Sequence, residues 1–192
     1  MVNILEFINE RYSTYEQFEM ERQKTDGRLE YIDGMIYMSP SSSIKHHEIS
    51  SFLHAQLYNV LKGTKCKVFA APTDVLFDNN RPNEKKRVVP DLFVACNPDF
   101  FTENEYVGAP DFIIEILSPS NKSHDMITKL NLYMNSGVKE YWIVDPMENR
   151  IMVYFQDQDL DIQFKLALLG EVVVSNLFKG FKVDTKDLFS TS

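Results

Sequence analysis

Apolar residues recur with a helical period in two stretches of the chain. In "SSSIKHHEISSFLHAQLYNVLKG" they predict a long helix that begins after the serines and ends at Gly63. A second helix is predicted from about residue 123 to residue 136. Its expected buried residues are Met126, Ile127, Leu130 and Tyr133. Ser13 followed by Glu16 has the pattern of a capping box, which predicts a short helix near the start of the chain.

Strand-like runs fill most of the remaining sequence. "RLEYIDGMIYMSP" predicts a hairpin with Asp33-Gly34 as its two-residue turn. "CKVFAAPTDVLF", "RVVPDLFVAC" and "DFIIEIL" predict strands before the second helix, and "KEYWIVDP" and "RIMVYFQ" predict strands after it. "IQFKLALL" and "EVVVSN" predict a hairpin that turns at Gly170. The phenylalanines of "FKGFKVDTKDLF" indicate that the tail packs on the body of the protein.

This order of elements, with no internal repeat or linker, predicts a single domain over residues 1–192. The middle of the chain runs strand, strand, helix, strand. The expected fold class is therefore α/β (α+β), with a central mixed sheet flanked by helices and additional β-hairpins. The 192 residues are 44% hydrophobic and 25% charged, which is typical of a globular protein with one substantial core.

The cellular setting is also constrained by the sequence. No apolar run approaches the roughly 20 residues that cross a bilayer, so we expect no membrane association. The N-terminus has neither a basic start nor a small-residue cleavage site, so no signal peptide is expected. Cys66 and Cys96 lack CxxC spacing and fall in strand-like runs, which favours two buried thiols in a reducing, cytoplasmic protein.

The net charge of −8 excludes a protein that coats nucleic acid by its bulk charge. Any contact with nucleic acid then depends on local basic segments. Two candidates are "KGTKCK", with Lys62, Lys65 and Lys67, and "RPNEKKR", with Arg81, Lys85, Lys86 and Arg87. The alternative for both segments is an ordinary solvated loop.

The apolar run "DFIIEILSPS" carries one carboxylate, Glu115, in its middle. A buried carboxylate must be paired, hydrogen-bonded or bound to a metal. Asp91 follows Pro90 in the preceding predicted strand, so the two acids converge if the strands are neighbours. Two close carboxylates repel each other, and a divalent cation such as Mg²⁺ (or Mn²⁺) removes that cost. The alternatives are that Lys129 or a backbone amide satisfies Glu115 and, for the Pro-Asp motif, the competing pair Pro110-Asp111.

Pro90-Asp91 and Glu115-Ile116-Leu117 resemble the motif of the PD-(D/E)XK nuclease superfamily, except that Leu117 stands where that motif has its lysine. Leu117 can neither orient a water molecule nor support developing charge. A wider resemblance, to the Uma-two family of endonucleases, runs in order over roughly residues 28 to 154. It is carried by "LEYIDGMIYMSP", "HHEISSFLHAQL", "VVPDLFVAC", "PDFIIEILSPSNKSHDMITKLNLYMNSGVKEYWIVDP" and "IMVY". In that family the lysine lies on the following helix, which corresponds to Lys129 here.

The resemblance implies a restriction-endonuclease-like fold and magnesium-dependent hydrolysis of phosphodiester bonds in nucleic acid, with DNA expected. Asp91 and Glu115 would hold the metal, and Lys129 would steady the attacking water or the phosphate. A metal, rather than a salt bridge to Lys129, is then expected to compensate Glu115. The accessory candidates are Glu30, His46, His47 and Asp125, and for each the alternative is a purely structural or solvated residue.

Two other functions fit the residues. One is a catalytically silent nuclease fold that binds or regulates, which the net charge and the missing strand lysine favour. The other is a carboxylate-pair hydrolase of sugars, which needs neither metal nor lysine. A homodimer would suit the cutting of two strands.

Overall fold

A computed structural model describes residues 13–25, 27–38, 42–78, 84–119 and 124–190 of the chain. The helices are α1 (Tyr15–Arg22), α2 (Ile44–Leu61), α3 (His124–Asn135) and α4 (Thr185–Phe189). The strands are β1 (Leu29–Ile32), β2 (Met35–Met38), β3 (Lys67–Ala70), β4 (Asp74–Phe77), β5 (Lys86–Val88), β6 (Leu92–Ala95), β7 (Glu105–Val107), β8 (Phe112–Ile116), β9 (Glu140–Asp145), β10 (Arg150–Gln156), β11 (Ile162–Ala167), β12 (Val172–Val174) and β13 (Lys182–Asp184).

The strands form three sheets. The largest has six strands in the order β11-β10-β9-β8-β6-β3, and only its β8–β9 pair is parallel. A five-stranded sheet has the order β2-β1-β5-β4-β7, and β12 pairs with β13. Parallel strands need a crossover connection, and α3 lies between β8 and β9 in the chain. The predicted mixed α+β fold is confirmed.

Alternation along β8 assigns its residues to two cores. Ile114 and Ile116 pack with α2 residues such as Leu53, while Ile113 packs with Tyr133 of α3. Side chains of one strand point alternately to opposite faces, so helices cover both faces of the central sheet. Glu115 belongs to the face that α3 covers.

The hairpin at Asp33-Gly34 and the end of the long helix agree with the prediction. Asp33 has φ +50° and Gly34 has φ +84°, which suits a tight two-residue turn between β1 and β2. Ser43 caps α2 through a hydrogen bond from the His46 amide. The tail packs on the body as expected, since Phe181 and Leu188 are fully buried.

Two local predictions about the helices are wrong. The capping box at α1 is formed by Thr14 and Gln17, one residue later than Ser13 and Glu16. Ile127 is 66% exposed, because Lys129, Leu132 and Tyr133 occupy the buried side of α3, which lies opposite to it.

The hairpin expected to turn at Gly170 does not form. Strand β11 pairs with β10 over six residue pairs, and β12 pairs with β13 instead. The longer strand β10 gives β11 a complete partner, which the three residues of β12 cannot offer.

The prediction of two buried thiols is also wrong. Cys66 and Cys96 form a disulfide, and both are partly exposed. They flank the Lys67–Ala95 pair of the antiparallel strands β3 and β6, so they lie opposite each other. Location in the cytoplasm stays a prediction. Within the described ranges, no helix is both long enough and apolar enough to span a bilayer.

Candidate active site

Glu115 lies near the end of β8 and is 9% exposed. Its Oε1 lies 3.1 Å from Lys129 Nζ and accepts a 2.7 Å hydrogen bond from the Tyr133 hydroxyl. Residues four apart share one side of a helix, so a single face of α3 supplies both groups. The crossover from β8 into α3 therefore places a cation and a hydroxyl over the acid.

Asp91 precedes β6 and lies across from the end of β8. The register pairs Leu92 with Ile114, which sets Asp91 beside Glu115. Asp91 Oδ2 accepts a 2.8 Å hydrogen bond from the Ile116 amide and lies 3.0 Å from His46 Nε2. The structure places the two acids side by side on neighbouring strands, as predicted.

Glu30 comes to the same place from the five-stranded sheet. It lies on β1, is 2% exposed, and its Oε1 accepts a 2.8 Å hydrogen bond from the Val89 amide. Lys129 Nζ lies 3.0 Å from each of its carboxylate oxygens. Lys129 therefore joins acids that the two different sheets contribute.

The cluster holds three carboxylates and one ammonium group, so its charges do not balance. Burial raises the pKa of Glu115 to about 7, opposed by Lys129 and increased further by Asp91 and Glu30. Burial works to lower the pKa of Lys129, but Glu115 and Glu30 outweigh it and hold that pKa above its usual value. Lys129 thus stays charged, while Glu115 is poised to exchange a proton near neutral pH.

The expectation that no salt bridge compensates Glu115 is wrong. Lys129 pairs with Glu115 and with Glu30 at once. One ammonium cannot neutralise three acids, however, and the charges of Asp91 and Glu30 add to the rise in the pKa of Glu115 that burial mainly causes. The ion pair between Glu115 and Lys129 therefore does not exclude a metal cation at Glu115.

The accessory candidates have different positions. His46 is buried in the first turn of α2 and contacts Asp91, and its Nδ1 has no hydrogen-bond partner among the described residues. His47 is exposed, and its ring centroid lies 5.9 Å from that of His46. Asp125 lies in α3, but its side chain is outside the described residues.

The competing Pro-Asp pair is structural. Asp111 accepts a 2.8 Å hydrogen bond from the Cys96 amide and a 2.6 Å hydrogen bond from Lys139 Nζ, away from the cluster. Sequence reasoning treated Tyr133 only as a buried apolar residue and missed its bond to Glu115. The available signal was its spacing of four residues from Lys129.

The described residues of the second basic segment, 84–87, do not form a free cationic surface. Arg87 is buried and pairs with Asp74, Glu19 and, at short range, Glu105. Lys85 and Lys86 lie 3.0 Å and 2.9 Å from Asp78 and Asp33. Arg81 is outside the described residues.

The first basic segment lies far from the cluster. Lys62 and Lys65 follow the end of α2, whereas His46 is in its first turn. An 18-residue helix is about 27 Å long at 1.5 Å per residue, so these lysines are at the opposite end from Asp91. As far as the structure describes the two basic segments, neither forms a phosphate-binding surface beside the acids.

In the part of the chain that the structure describes, no three His, Cys, Asp or Glu side chains form a group that could hold a metal ion. This agrees with the contacts of Glu30, which is committed to Lys129 and the Val89 amide.

The chain is similar to known proteins in both sequence and structure. Residues 12–186 match the model of the Uma2 (Uma-two) family, described as "Putative restriction endonuclease". The uncharacterized protein slr1290 of Synechocystis sp. is 30% identical over 148 residues, which cover 77% of this chain and 74% of that protein. A "putative nuclease" of Anabaena variabilis, known from a crystal structure, is 27% identical with a TM-score of 0.73. The match covers 92% of this chain and 97% of that one. These similarities support a restriction-endonuclease-like fold and a nuclease-like function.

Proposed function

We propose that this chain, which belongs to the Uma2 family, is a divalent-metal-dependent endonuclease that hydrolyses phosphodiester bonds in nucleic acid, with DNA as the expected substrate. The observation that carries the proposal is the cluster at the end of β8. Three carboxylates meet there around a single lysine, and the acid on β8 has a pKa raised to about 7. Uncompensated buried charge of this kind is costly to fold and is typical of functional sites.

The free oxygens of two acids fit a hard divalent cation. The Asp91 carboxylate hydrogen-bonds to the described residues through Oδ2 alone, and the Glu115 carboxylate does so through Oε1 alone. Within the described ranges, Asp91 Oδ1 and Glu115 Oε2 therefore remain for a ligand. Mg²⁺ is ordinarily held by one or two carboxylates with water and substrate phosphate, so these two acids would hold Mg²⁺ (or Mn²⁺). When bound, the cation would supply positive charge that favours a hydroxide nucleophile and stabilises the charge developing on phosphate.

The side chains around these acids have separate proposed roles. Glu30 anchors Lys129, whose ammonium steadies the attacking water or a phosphate oxygen. Tyr133 holds Glu115 in one orientation, and His46 does the same for Asp91. Loss of a residue that orients a metal ligand in this way typically costs about 10–100-fold in metal affinity or activity.

The test is a calorimetric titration with Mn²⁺, followed by a cleavage assay on plasmid DNA. Asp91→Asn and Glu115→Gln should each abolish saturable Mn²⁺ binding and cleavage without changing the circular dichroism spectrum. Asp111→Asn is the matched control, because this aspartate also follows a proline but lies outside the cluster. Unchanged Mn²⁺ affinity in both site variants would remove the metal from this proposal.

A second candidate is a nuclease fold that binds nucleic acid or a partner without cutting. It is favoured by Lys129, which is fully engaged by Glu30 and Glu115, and by the ion pairs that occupy Lys85, Lys86 and Arg87. Such a protein would bind Mn²⁺ weakly or not at all and would leave plasmid DNA intact. A sugar hydrolase would act without any metal, so a chelator separates it from the first proposal.

A further inference from the structure

Exposed apolar side chains concentrate in one short segment, residues 160–174. Within the described ranges, eight of the fourteen exposed large apolar residues lie there. They are Leu160, Ile162, Phe164, Leu166, Leu168, Leu169, Val172 and Val174. Contiguous exposed apolar surface on a soluble protein commonly marks a site of association.

The centre of this segment is strand β11, which forms one edge of the six-stranded sheet. Residues 162 to 166 are exposed on both faces, so no element among the described residues covers either face of the strand. Ile162, Phe164 and Leu166 share one face with Tyr154, while Gln163 and Lys165 share the other. A long, exposed, apolar edge strand can accept another strand on its unpaired backbone groups.

We propose that β11 binds β11 of a second copy of this chain, antiparallel, with Phe164 on the two-fold axis. This contact goes beyond the proposed hydrolysis and does not depend on it. In that register Ile162 lies opposite Leu166 of the second copy, and Phe164 lies opposite Phe164. The two six-stranded sheets then continue as one.

The sequence of β11 fits itself in this register, and that is why the partner is a second copy. The apolar positions are symmetric about Phe164, so every apolar side chain on that face meets another apolar side chain. Lys165 meets Gln163 rather than a second Lys165, so no like charges lie opposite each other. An unrelated strand would have to match both features by chance.

Three neighbouring residues hold the Phe164 and Lys165 side chains in place before this pairing. The Phe164 ring packs on Tyr154 of β10 with a centroid distance of 5.0 Å. Lys165 Nζ donates a 2.6 Å hydrogen bond to Asn176 and lies 4.8 Å from the Phe155 ring centroid. Side chains that are already ordered lose less conformational entropy on binding.

The test is sedimentation velocity on the full chain and on Phe164→Glu and Phe164→Lys. The wild type should sediment as a dimer at micromolar concentration. Each variant places two like charges opposite each other and should weaken the dimer by roughly 30-fold or more, the scale of losing a central anchor. Tyr58→Glu, at another exposed apolar position, is the control and should leave the dimer intact.

An equimolar mixture of Phe164→Glu and Phe164→Lys decides the register. Glutamate then faces lysine on the axis, so dimers should return in the mixture at a concentration where each variant alone is a monomer. A mixture that stays monomeric would overturn the register centred on Phe164. A monomeric wild type at about 1 mM, or dimers that survive in both single variants, would overturn the interface itself. No cleavage assay is involved, so this result is independent of the proposed function.

Discussion

The Tyr133 hydroxyl donates a 2.7 Å hydrogen bond to Glu115 Oε1, the oxygen that also lies 3.1 Å from Lys129 Nζ. The tyrosine is fully buried, and burial together with Glu115 holds its pKa well above the usual value. Tyr133 therefore remains a neutral donor throughout the range in which Glu115 exchanges a proton. It stabilises the charged form of the acid without adding charge to the cluster.

Tyr133→Phe should raise the pKa of Glu115 further above about 7, because this hydrogen bond lowers it. A raised pKa makes protons compete better with metal, so the midpoint of Mn²⁺ binding should move to higher pH. Calorimetric titrations across pH measure the midpoint. Tyr106→Phe, at a buried tyrosine on β7, is the control. Identical midpoints in the wild type and Tyr133→Phe would contradict the orienting role.

The metal-free protein should lose stability as pH rises from about 4.5 to about 7. Burial raises the pKa of Glu115 from 4.5 to about 7 on folding, so in this window the folded state holds a proton that the unfolded chain has released. Stability from this group is therefore present at acid pH and falls as pH rises. Urea unfolding at both ends of the window measures the change.

Glu115→Gln is neutral at every pH and should remove this fall in stability. Glu103→Gln, at an exposed glutamate, is the control and should leave the fall in place. If the wild type and Glu115→Gln respond to pH alike, the acid titrates outside this window.

Lys129→Ala should cost the metal-free protein about 3–5 kcal/mol, because it leaves Glu30 and Glu115 buried without their cation. Lys139→Ala removes a largely exposed pair with Asp111 and should cost no more than about 1 kcal/mol. Thermal unfolding of both variants measures the difference. Cleavage by Lys129→Ala, assayed where the protein is folded, should fall roughly a hundredfold or more. Wild-type stability together with wild-type cleavage would refute both roles.

A lysine returned to the strand should restore part of that rate. Leu117 packs on the α3 side of the sheet, the side that also carries Glu115. The double variant Leu117→Lys with Lys129→Ala should therefore cleave faster than Lys129→Ala alone. The comparison uses initial rates on the same plasmid, and equal rates would show that position 117 cannot reach the site.

His46→Ala should weaken Mn²⁺ binding by about 10–100-fold, because Asp91 loses the side chain that orients it. His47→Ala is a close control, since His47 is the next residue on α2 but is exposed. Calorimetry on the two variants separates the roles. Equal affinities would mean that the Ile116 amide alone fixes Asp91.

The sequence by itself determined the features that depend on neighbouring residues. The alternation in "DFIIEIL" assigns Glu115 and Leu117 to one face of β8, and a four-residue period puts Lys129 and Tyr133 on one side of α3. The turn at Asp33-Gly34 is equally local. Asp91 and Glu115 could be paired in advance because they lie in two successive strands of those predicted from the sequence. The proposed role of Lys129 came from the family resemblance.

Only the tertiary structure decided which distant groups meet. Glu30 joins the cluster through partners 59 and 99 residues away, and His46 reaches Asp91 across 45 residues. Sheet packing, rather than local periodicity, sets such contacts. Sheet packing likewise buries Arg87 among acids and pairs β11 with β10. Charge and strand propensity can be read along a chain, but whether a charge is compensated depends on what folds against it.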